Sequence, residues 1–91
     1  MDRDIKDVIG VLMRILDGAE VSHEELNDLA FEADGELETA LNEAYVKMHE
    51  FANDYDLRRH DLSRDRGMRF ELKGCLDNIV RASNSASQLT D

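Results

Sequence analysis

The chain contains no proline and no tryptophan, and only one of its 91 residues is a cysteine. Without proline, helices must end at glycines and capping side chains, so these residues become the best markers of helix boundaries. The single cysteine, Cys75, excludes a disulfide within the chain and favours a reducing cytoplasm as its location. No apolar run reaches the length of about 20 residues that a membrane-spanning helix needs. The first ten residues mix three acids with two bases, which is not the pattern of a secretory signal.

Composition indicates one folded domain. The chain is 42% hydrophobic and 35% charged, which is ordinary for a globular domain and too apolar for a disordered one. A chain of 91 residues has too little interior for two cores. The stretch SNSASQLTD at residues 83–91 has little to bury. We therefore expect a single helical domain over residues 1–82, followed by a disordered polar tail over residues 83–91.

The longest helical pattern lies in the middle of the chain, over residues 36–56. Apolar residues recur there at steps of three and four, so they share one face of a helix. These residues are Leu37, Ala40, Leu41, Ala44, Met48, Phe51, Ala52 and Tyr55. No useful length of the chain alternates with the period of two that a half-buried strand requires. The pattern predicts an all-α fold in which this face packs against other helices.

Two shorter helices are predicted before the central one. The first covers residues 3–16 and ends at Asp17 and Gly18, because glycine readily takes the left-handed conformation beyond a helix end. Its apolar residues form an arc wider than one neighbour can cover, so it lies centrally or in a subunit interface. They are Ile5, Val8, Ile9, Val11, Leu12, Met13, Ile15 and Leu16. The second helix covers residues 23–33 and begins at a capping box, in which the Ser22 hydroxyl accepts from the Glu25 amide and the Glu25 carboxylate reaches back.

The boundary at Asp34 and Gly35 admits two interpretations. With a break, Asp34 caps the next helix. A continuous kinked helix over residues 23–56 would instead be about 50 Å long, and a dimer would have to cover it. We favour the break.

The periodicity weakens after Tyr55. This predicts a connection at residues 57–62 and a last helix at residues 63–82, with Ser63 as its cap. That helix is expected to bury Met68, Leu72, Cys75, Leu76, Ile79 and Val80. The expected architecture is a small antiparallel bundle of about four helices.

Charge is distributed unevenly along the chain. The formal net charge is −10; residues 17–56 carry thirteen acids against one base, whereas residues 57–81 carry seven bases against four acids. The acidic half repels nucleic acids and membrane surfaces and favours basic partners. We therefore expect a protein partner that is basic, or a second copy of this chain in a homodimer, and neither a nucleic acid nor a membrane.

Within the acidic half, Glu36, Glu43 and Glu50 repeat every seven residues and line up along one side of the central helix, with Asp54 beside them. A ladder of this kind is commonly a solvated face. Glu50 and Asp54 are like charges four residues apart, which costs a little helix stability. The functional interpretation of the ladder is a docking face for a basic partner.

A second candidate surface surrounds Phe70. On a helix that buries Leu72 and Ile79, Phe70 points nearly the opposite way. Its neighbours on that face are Arg66, Lys73, Gly74, Asp77 and Arg81. An aromatic side chain framed by cations, with a glycine one turn away that permits close approach, is typical of an interface anchor. The alternative is an ordinary exposed aromatic residue.

A carboxylate and histidine site, metal-binding or acid-base, is the alternative function. Glu20 and His23 have the Glu-x-x-His spacing of di-iron bundles, but such bundles need two of these pairs. Asp56 and His60 can share a helical face. A hairpin could also bring together His49, Glu50, His60 and Glu71.

Catalysis is not expected, and neither is a cofactor. The chain has no glycine-rich phosphate loop, no Cys-x-x-Cys and no nucleophile elbow. Cys75 lies on the predicted inner face, where a thiol acts as a small hydrophobe. Small acidic helical antitoxins and immunity proteins share this size and charge, but no motif places the chain in a family. The leading hypothesis is a non-catalytic protein-protein interaction module, which could be an adaptor, a regulator, or an antitoxin- or immunity-like protein.

Overall fold

The computed structural model describes residues 3–29 and 33–89, with side chains over residues 5–29 and 33–84. This part of the chain forms helices and no strand. The helices are α1 (Arg3–Leu16), α2 (His23–Asn27), α3 (Gly35–Asn53), α4 (Tyr55–His60) and α5 (Leu62–Leu89). The all-α prediction is confirmed, and the protein is a small helical bundle.

Helix α5 is the element on which the other helices are arranged. It contacts α1, α3 and α4, while α2 packs on α3. Its 28 residues make it about 42 Å long at 1.5 Å per residue, close to the longest dimension of the molecule, 48 Å. The bundle therefore has one helix along its full length, and shorter helices lie against it.

A single apolar core joins α1, α2, α3 and α5. Its buried members are Ile5, Val8, Val11, Leu12, Ile15, Leu26, Ala40, Leu41, Ala44, Met48, Phe51, Leu72, Cys75, Ile79 and Ala82. The apolar face predicted for the central helix is therefore the face that α3 buries. Most of the wide arc of α1 is covered within the chain, with Met13 as the exception, so the arc is a weak reason to expect a subunit interface there.

Three apolar side chains that were expected in the core are exposed instead. Met13 is 58% exposed because it lies on the side of α1 away from the core, at the edge of an arc that its neighbours already fill. Val80 is exposed on α5, one residue beyond the buried Ile79. Tyr55 is exposed because the chain leaves α3 before it and starts α4.

Glycine and a serine cap define the ends of the first two helices as predicted. Gly18 follows α1 with φ of 108°, and the Ser22 hydroxyl accepts from the Glu25 amide at 3.1 Å. The Glu25 carboxylate pairs with Arg14 of α1 instead of completing the capping box. Helix α2 ends at Asn27 rather than at residue 33, and the last turn predicted for it falls partly on residues 30–32, which lie outside the described residues.

The break at Gly35 is confirmed. Gly35 begins α3 with φ of 65°, in the left-handed region that favours glycine. Asp34 is the N-cap residue of α3 with extended backbone, as expected, but its side chain makes no capping hydrogen bond.

The predicted connection at residues 57–62 contains a short helix, α4, which occupies residues 55–60. Asp61 rather than Ser63 caps α5, since the Asp61 carboxylate accepts from the Arg64 amide at 3.1 Å. Helix α5 continues to Leu89, seven residues past the predicted end, and Ser83 is buried. The disordered tail stays a prediction, and its residues 90 and 91 lie outside the described part.

Candidate interaction surface on helix α5

Phe70 lies at the centre of the outward face of α5. It is 74% exposed, the largest exposure among the large hydrophobic residues of the described chain. Leu72, Cys75 and Ile79 are buried on the opposite face, so the predicted phase of this helix is confirmed. The residues expected to frame Phe70, namely Arg66, Lys73, Gly74 and Arg81, are all exposed on the same helix. The exposure of these residues agrees with the periodicity of the sequence, while their use for binding stays a prediction.

Two glycines flank Phe70, Gly67 one turn before it and Gly74 one turn after it. A Cβ added at either position would meet nothing within 4 Å, and neither has the positive φ seen at Gly18 and Gly35. Backbone conformation and packing within the chain therefore do not require glycine at these two positions. Each nevertheless costs about 1 kcal/mol relative to alanine in a helix interior. Because glycine has no side chain, each position leaves a gap, here called a recess, in the row of side chains beside Phe70.

The neighbouring rim of this surface comes from α3. Lys47 of α3 lies 3.7 Å from the carboxylate of Glu71 on α5, measured from Nζ to Oε2. Val46, next to Lys47 on α3, is 55% exposed. Each of these two helices therefore exposes a large apolar side chain, Val46 on α3 and Phe70 on α5.

A groove between α3 and α5 contains residues from both predicted surfaces. It has a volume of about 670 Å³ and is lined by Gly35, Glu36, Thr39, Ala40, Glu43, Asn78, Arg81 and Ala82. The structure therefore brings Glu36 and Glu43 of the acidic ladder together with Arg81 of the Phe70 surface. The groove is mixed in charge, which differs from the uniformly acidic face that the ladder suggested.

The other end of the ladder is already occupied. Asp54 pairs with the Arg64 guanidinium, whose Nη2 lies 3.1 Å from Asp54 Oδ1. Hydrogen bonding from Arg64 holds the pKa of Asp54 below its ordinary value. Glu50 remains exposed. Asp54 is therefore part of an ion pair between the end of α3 and the start of α5, and the acidic residues free to meet a partner are Glu36, Glu43 and Glu50.

Arg58 of α4 is a buried arginine that the sequence did not indicate. The Arg58 side chain is 1% exposed. Its Nε and Nη2 donate to the Phe51 carbonyl at 3.0 and 2.7 Å, and its Nη1 and Nη2 donate to the two Glu20 carboxylate oxygens at 3.1 and 2.8 Å. Nη1 also donates to Asp65 at 2.8 Å. All five N–H groups of the guanidinium are therefore paired.

Arg69 completes this charge cluster, which consists of Glu20, Arg58, Asp65 and Arg69. It donates to Asp65 and to Glu20, both at 2.8 Å, and to the Ala19 carbonyl at 2.9 Å. It also donates to the Ile15 carbonyl at the end of α1. Two cations and two anions balance, and the cluster ties the α1–α2 connection to α3, α4 and α5. Because every member of the cluster is paired with another member, we assign the cluster a structural role. Glu20 pairs with Arg58 and Arg69 rather than with His23.

The titration of Asp65 reflects this pairing. Hydrogen bonds from Arg69 and Arg58 hold the pKa of the Asp65 carboxyl below its ordinary value. Burial is the largest single effect on the pKa of Arg58 and lowers it. The hydrogen bonds and charges of Glu20 and Asp65 together outweigh burial, so the pKa is raised. The only hint of the cluster in the sequence is Asp65 four residues before Arg69, a spacing that places both on one helical face.

The residues of the predicted metal or acid-base site do not meet. Glu71 pairs with Lys47, and His60 Nδ1 lies 2.8 Å from the Asp56 backbone carbonyl rather than on a carboxylate. His49 instead meets His23 of α2, with 2.7 Å between their Nδ1 atoms. No group of three or more His, Cys, Asp or Glu side chains in the described residues is placed to hold a metal ion.

Cys75 lies in the core, as the sequence indicated. It is buried against the α3 side of α5, and burial raises the pKa of its thiol, with a further increase from the nearby Glu43 carboxylate. A raised pKa keeps the sulfur protonated at neutral pH, and a thiol is a poor nucleophile compared with a thiolate.

Comparison of the chain with protein-family models, curated proteins and solved structures finds no match. Among the described helices, none combines the length and the apolar character needed to cross a membrane.

Proposed function

We propose that this protein is a non-catalytic interaction module that binds another protein through the outward face of α5. The observation that carries the proposal is Phe70, which is 74% exposed between two glycines that neither backbone conformation nor internal packing requires. Aromatic residues at the centre of a surface, with room for a partner to approach, are the usual anchors of protein interfaces. The lone, buried Cys75 supports a reducing cytoplasmic location for this activity.

A helix of the partner fits this surface best. Ser63, Gly67, Phe70 and Gly74 follow one another at steps of four, three and four residues. This spacing places the four residues in one row along α5, in which Phe70 projects and the glycines do not. A second helix can pack along such a row. The partner helix would place an apolar side chain in the recess at Gly74, beside Phe70.

Charge around the surface defines the partner further. Arg66 and Lys73 border Phe70 on α5, while Glu43 and Glu50 are exposed on the α3 side. A complementary helix carries acids along the first border and bases along the second. The basic partner expected from the net charge therefore matches Glu43 and Glu50 on α3. Arg66 and Lys73 on α5 additionally require acidic residues in the partner.

A second copy of the chain is a less suitable partner. Two α5 helices paired in an antiparallel dimer present the same border of each helix to the other. That arrangement brings Arg66 and Lys73 of both copies to one side, and like charges repel. Most of the arc of α1, the other reason to expect a homodimer, is already covered inside the chain.

The test compares two exposed apolar residues. Phe70→Ser removes the proposed anchor, and Met13→Ser removes a side chain of similar exposure on α1. The two variants and the parent are used as bait in lysate of the source cells, and any captured protein is then titrated as a purified component. We expect Phe70→Ser to weaken its binding by about 30-fold or more, the effect of losing an anchor worth about 2 kcal/mol, and Met13→Ser to leave it unchanged.

Sedimentation of the three purified proteins completes the test. A monomer in all three, with a captured protein that binds in a Phe70-dependent manner, supports the proposal. A parent dimer that becomes a monomer only in Phe70→Ser replaces the foreign helix with a second copy. Capture of the same protein by parent and Phe70→Ser with equal affinity overturns the proposal.

A further inference from the structure

His23 and His49 face each other across the contact between α2 and α3. Their Nδ1 atoms are 2.7 Å apart, while the ring centroids are 5.0 Å apart and the ring planes differ by 13°. Stacked rings keep their atoms at least about 3.5 Å apart, so these rings are not stacked face to face. They lie side by side in nearly one plane, with the two Nδ1 edges turned toward each other.

The two Nδ1 atoms are within hydrogen-bonding distance of each other. When both imidazoles are neutral, one Nδ1 must carry a proton and donate it, and the other must accept. The Nε2 atoms are left on the outer sides of the rings. Tyr45 packs edge-on against His49, with the ring centroids 4.6 Å apart, and its hydroxyl lies 3.4 Å from Asn27 Oδ1. The His49 ring is therefore oriented by a neighbour, while His23 is exposed at the first residue of α2.

We propose that this histidine pair binds a divalent transition-metal ion, with Zn²⁺ as the representative case, through the two Nδ1 atoms. Imidazole nitrogen is a preferred ligand of Zn²⁺, Ni²⁺ and Cu²⁺. At Zn–N distances of about 2.0 Å, two nitrogens of a tetrahedral site lie about 3.3 Å apart. Relative to 2.7 Å, the two Nδ1 atoms have to separate by about 0.6 Å. The exposed His23 ring also has to turn out of its in-line position, so that both Nδ1 lone pairs point at the ion.

The site has two protein ligands, and water fills the remaining positions. No third histidine, cysteine or carboxylate of the described residues is placed to join them. A site of this kind binds more weakly than the closed four-ligand sites that fold zinc domains. Its effect on the protein is local, because the metal joins the five-residue helix α2 to α3. This inference does not depend on the proposed use of the Phe70 surface.

Thermal unfolding in the presence of metal tests the site. Protein without a histidine tag is melted at pH 7.5 with increasing ZnCl₂, and separately with MgCl₂, a hard cation that prefers oxygen ligands. We expect the melting temperature to rise with Zn²⁺ and not with Mg²⁺. At a free Zn²⁺ concentration ten times the dissociation constant, the ratio of folded to unfolded protein rises about tenfold.

Three single-histidine variants locate the binding. His23→Gln and His49→Gln are each expected to abolish the Zn²⁺-dependent rise, and His60→Gln, which removes the remaining histidine on α4, to preserve it. NMR provides a second measurement, in which Zn²⁺ shifts the ring protons of His23 and His49 together and leaves those of His60 in place. The proposal is overturned if millimolar Zn²⁺ leaves the parent unchanged, or if His23→Gln responds as the parent does.

Discussion

The guanidinium carbon of Arg58 lies 3.4 Å from the centroid of the Phe51 ring, and the same guanidinium donates twice to the Phe51 carbonyl oxygen. One side chain thus covers the aromatic ring at the end of α3 and binds a carbonyl of the last helical turn, which also accepts from the Asp54 amide at 3.3 Å. This contact explains how a charged residue can lie at the centre of the α3, α4 and α5 junction.

The first prediction concerns this arginine. Arg58→Ala should destabilise the protein by about 3 to 5 kcal/mol, because it leaves buried acceptors unpaired and opens a cavity beside Phe51. Arg58→Lys should also destabilise it, since an ammonium group cannot supply five donors in one plane. Urea unfolding followed by circular dichroism measures both. Arg59→Ala, at the next and exposed position, is the control, and its unfolding free energy should stay within about 0.5 kcal/mol of the parent. If Arg58→Ala were as stable as this control, the charge cluster would have no stabilising role.

The second prediction is a loss of stability in acid. The pKa of Asp65 is lowered in the folded protein, so its ionised form is bound more tightly by the fold than its protonated form. Its contribution is present above the ordinary aspartate pKa of about 3.9 and is lost as the pH falls through the lower, folded-state value. Asp54 acts in the same direction. The parent should therefore lose unfolding free energy between pH 5 and pH 2 in urea titrations (about the range in which paired carboxylates protonate).

Asp65→Asn is the matched variant for this measurement. It should be less stable than the parent at pH 7 and should lose less further stability on acidification, so the two curves converge in acid. Parallel curves for parent and variant would show that other groups cause the acid sensitivity.

The third prediction separates stability from binding at Gly74. Gly74→Ala should stabilise the free protein by up to about 1 kcal/mol, because a Cβ there meets nothing and alanine favours the helix. It should at the same time weaken binding of the partner that Phe70 captures, because the methyl group fills the recess. Thermal unfolding and titration calorimetry provide the two readouts. Gly10→Ala, on α1, also has an open Cβ position and should stabilise without any change in binding.

The fourth prediction concerns the break between α2 and α3. Gly35 has φ of 65°, which costs a residue with a side chain about 1 to 2 kcal/mol. Gly35→Ala should therefore destabilise the protein, whereas Gly67→Ala, in regular helix, should stabilise it. Urea titration measures the change in unfolding free energy for both variants. Changes of opposite sign would show that Gly35 lies in a turn and Gly67 in regular helix. Stabilisation by Gly35→Ala would favour a continuous helix.

The sequence predicted the features that depend on local spacing. Leu41 and Met48 are fully buried as their period of seven indicated, Ser22 caps α2, and Phe70 faces outward. These features follow from helix geometry alone, which any stretch of sequence reveals by its periodicity.

The features that the sequence did not predict depend on residues far apart in the chain. Arg58 can be buried because the Glu20 carboxylate, 38 residues away, offsets the free-energy cost of removing the guanidinium from water. No local sequence pattern contains that pairing. The meeting of His23 with His49, 26 residues apart, is of the same kind. Helix α4 was missed because six residues are too few to show a period.

The arrangement of the bundle on α5 has a consequence for how the chain folds during synthesis. Helix α1 is made early and packs against α5, which follows all the other helices in the sequence. Until residues 62–82 have left the ribosome, Val8 and Leu12 have no surface of α5 to cover them. The nascent chain therefore exposes these apolar residues to chaperones until α5 has emerged, and a ribosome stalled before Leu62 should carry a protease-sensitive chain.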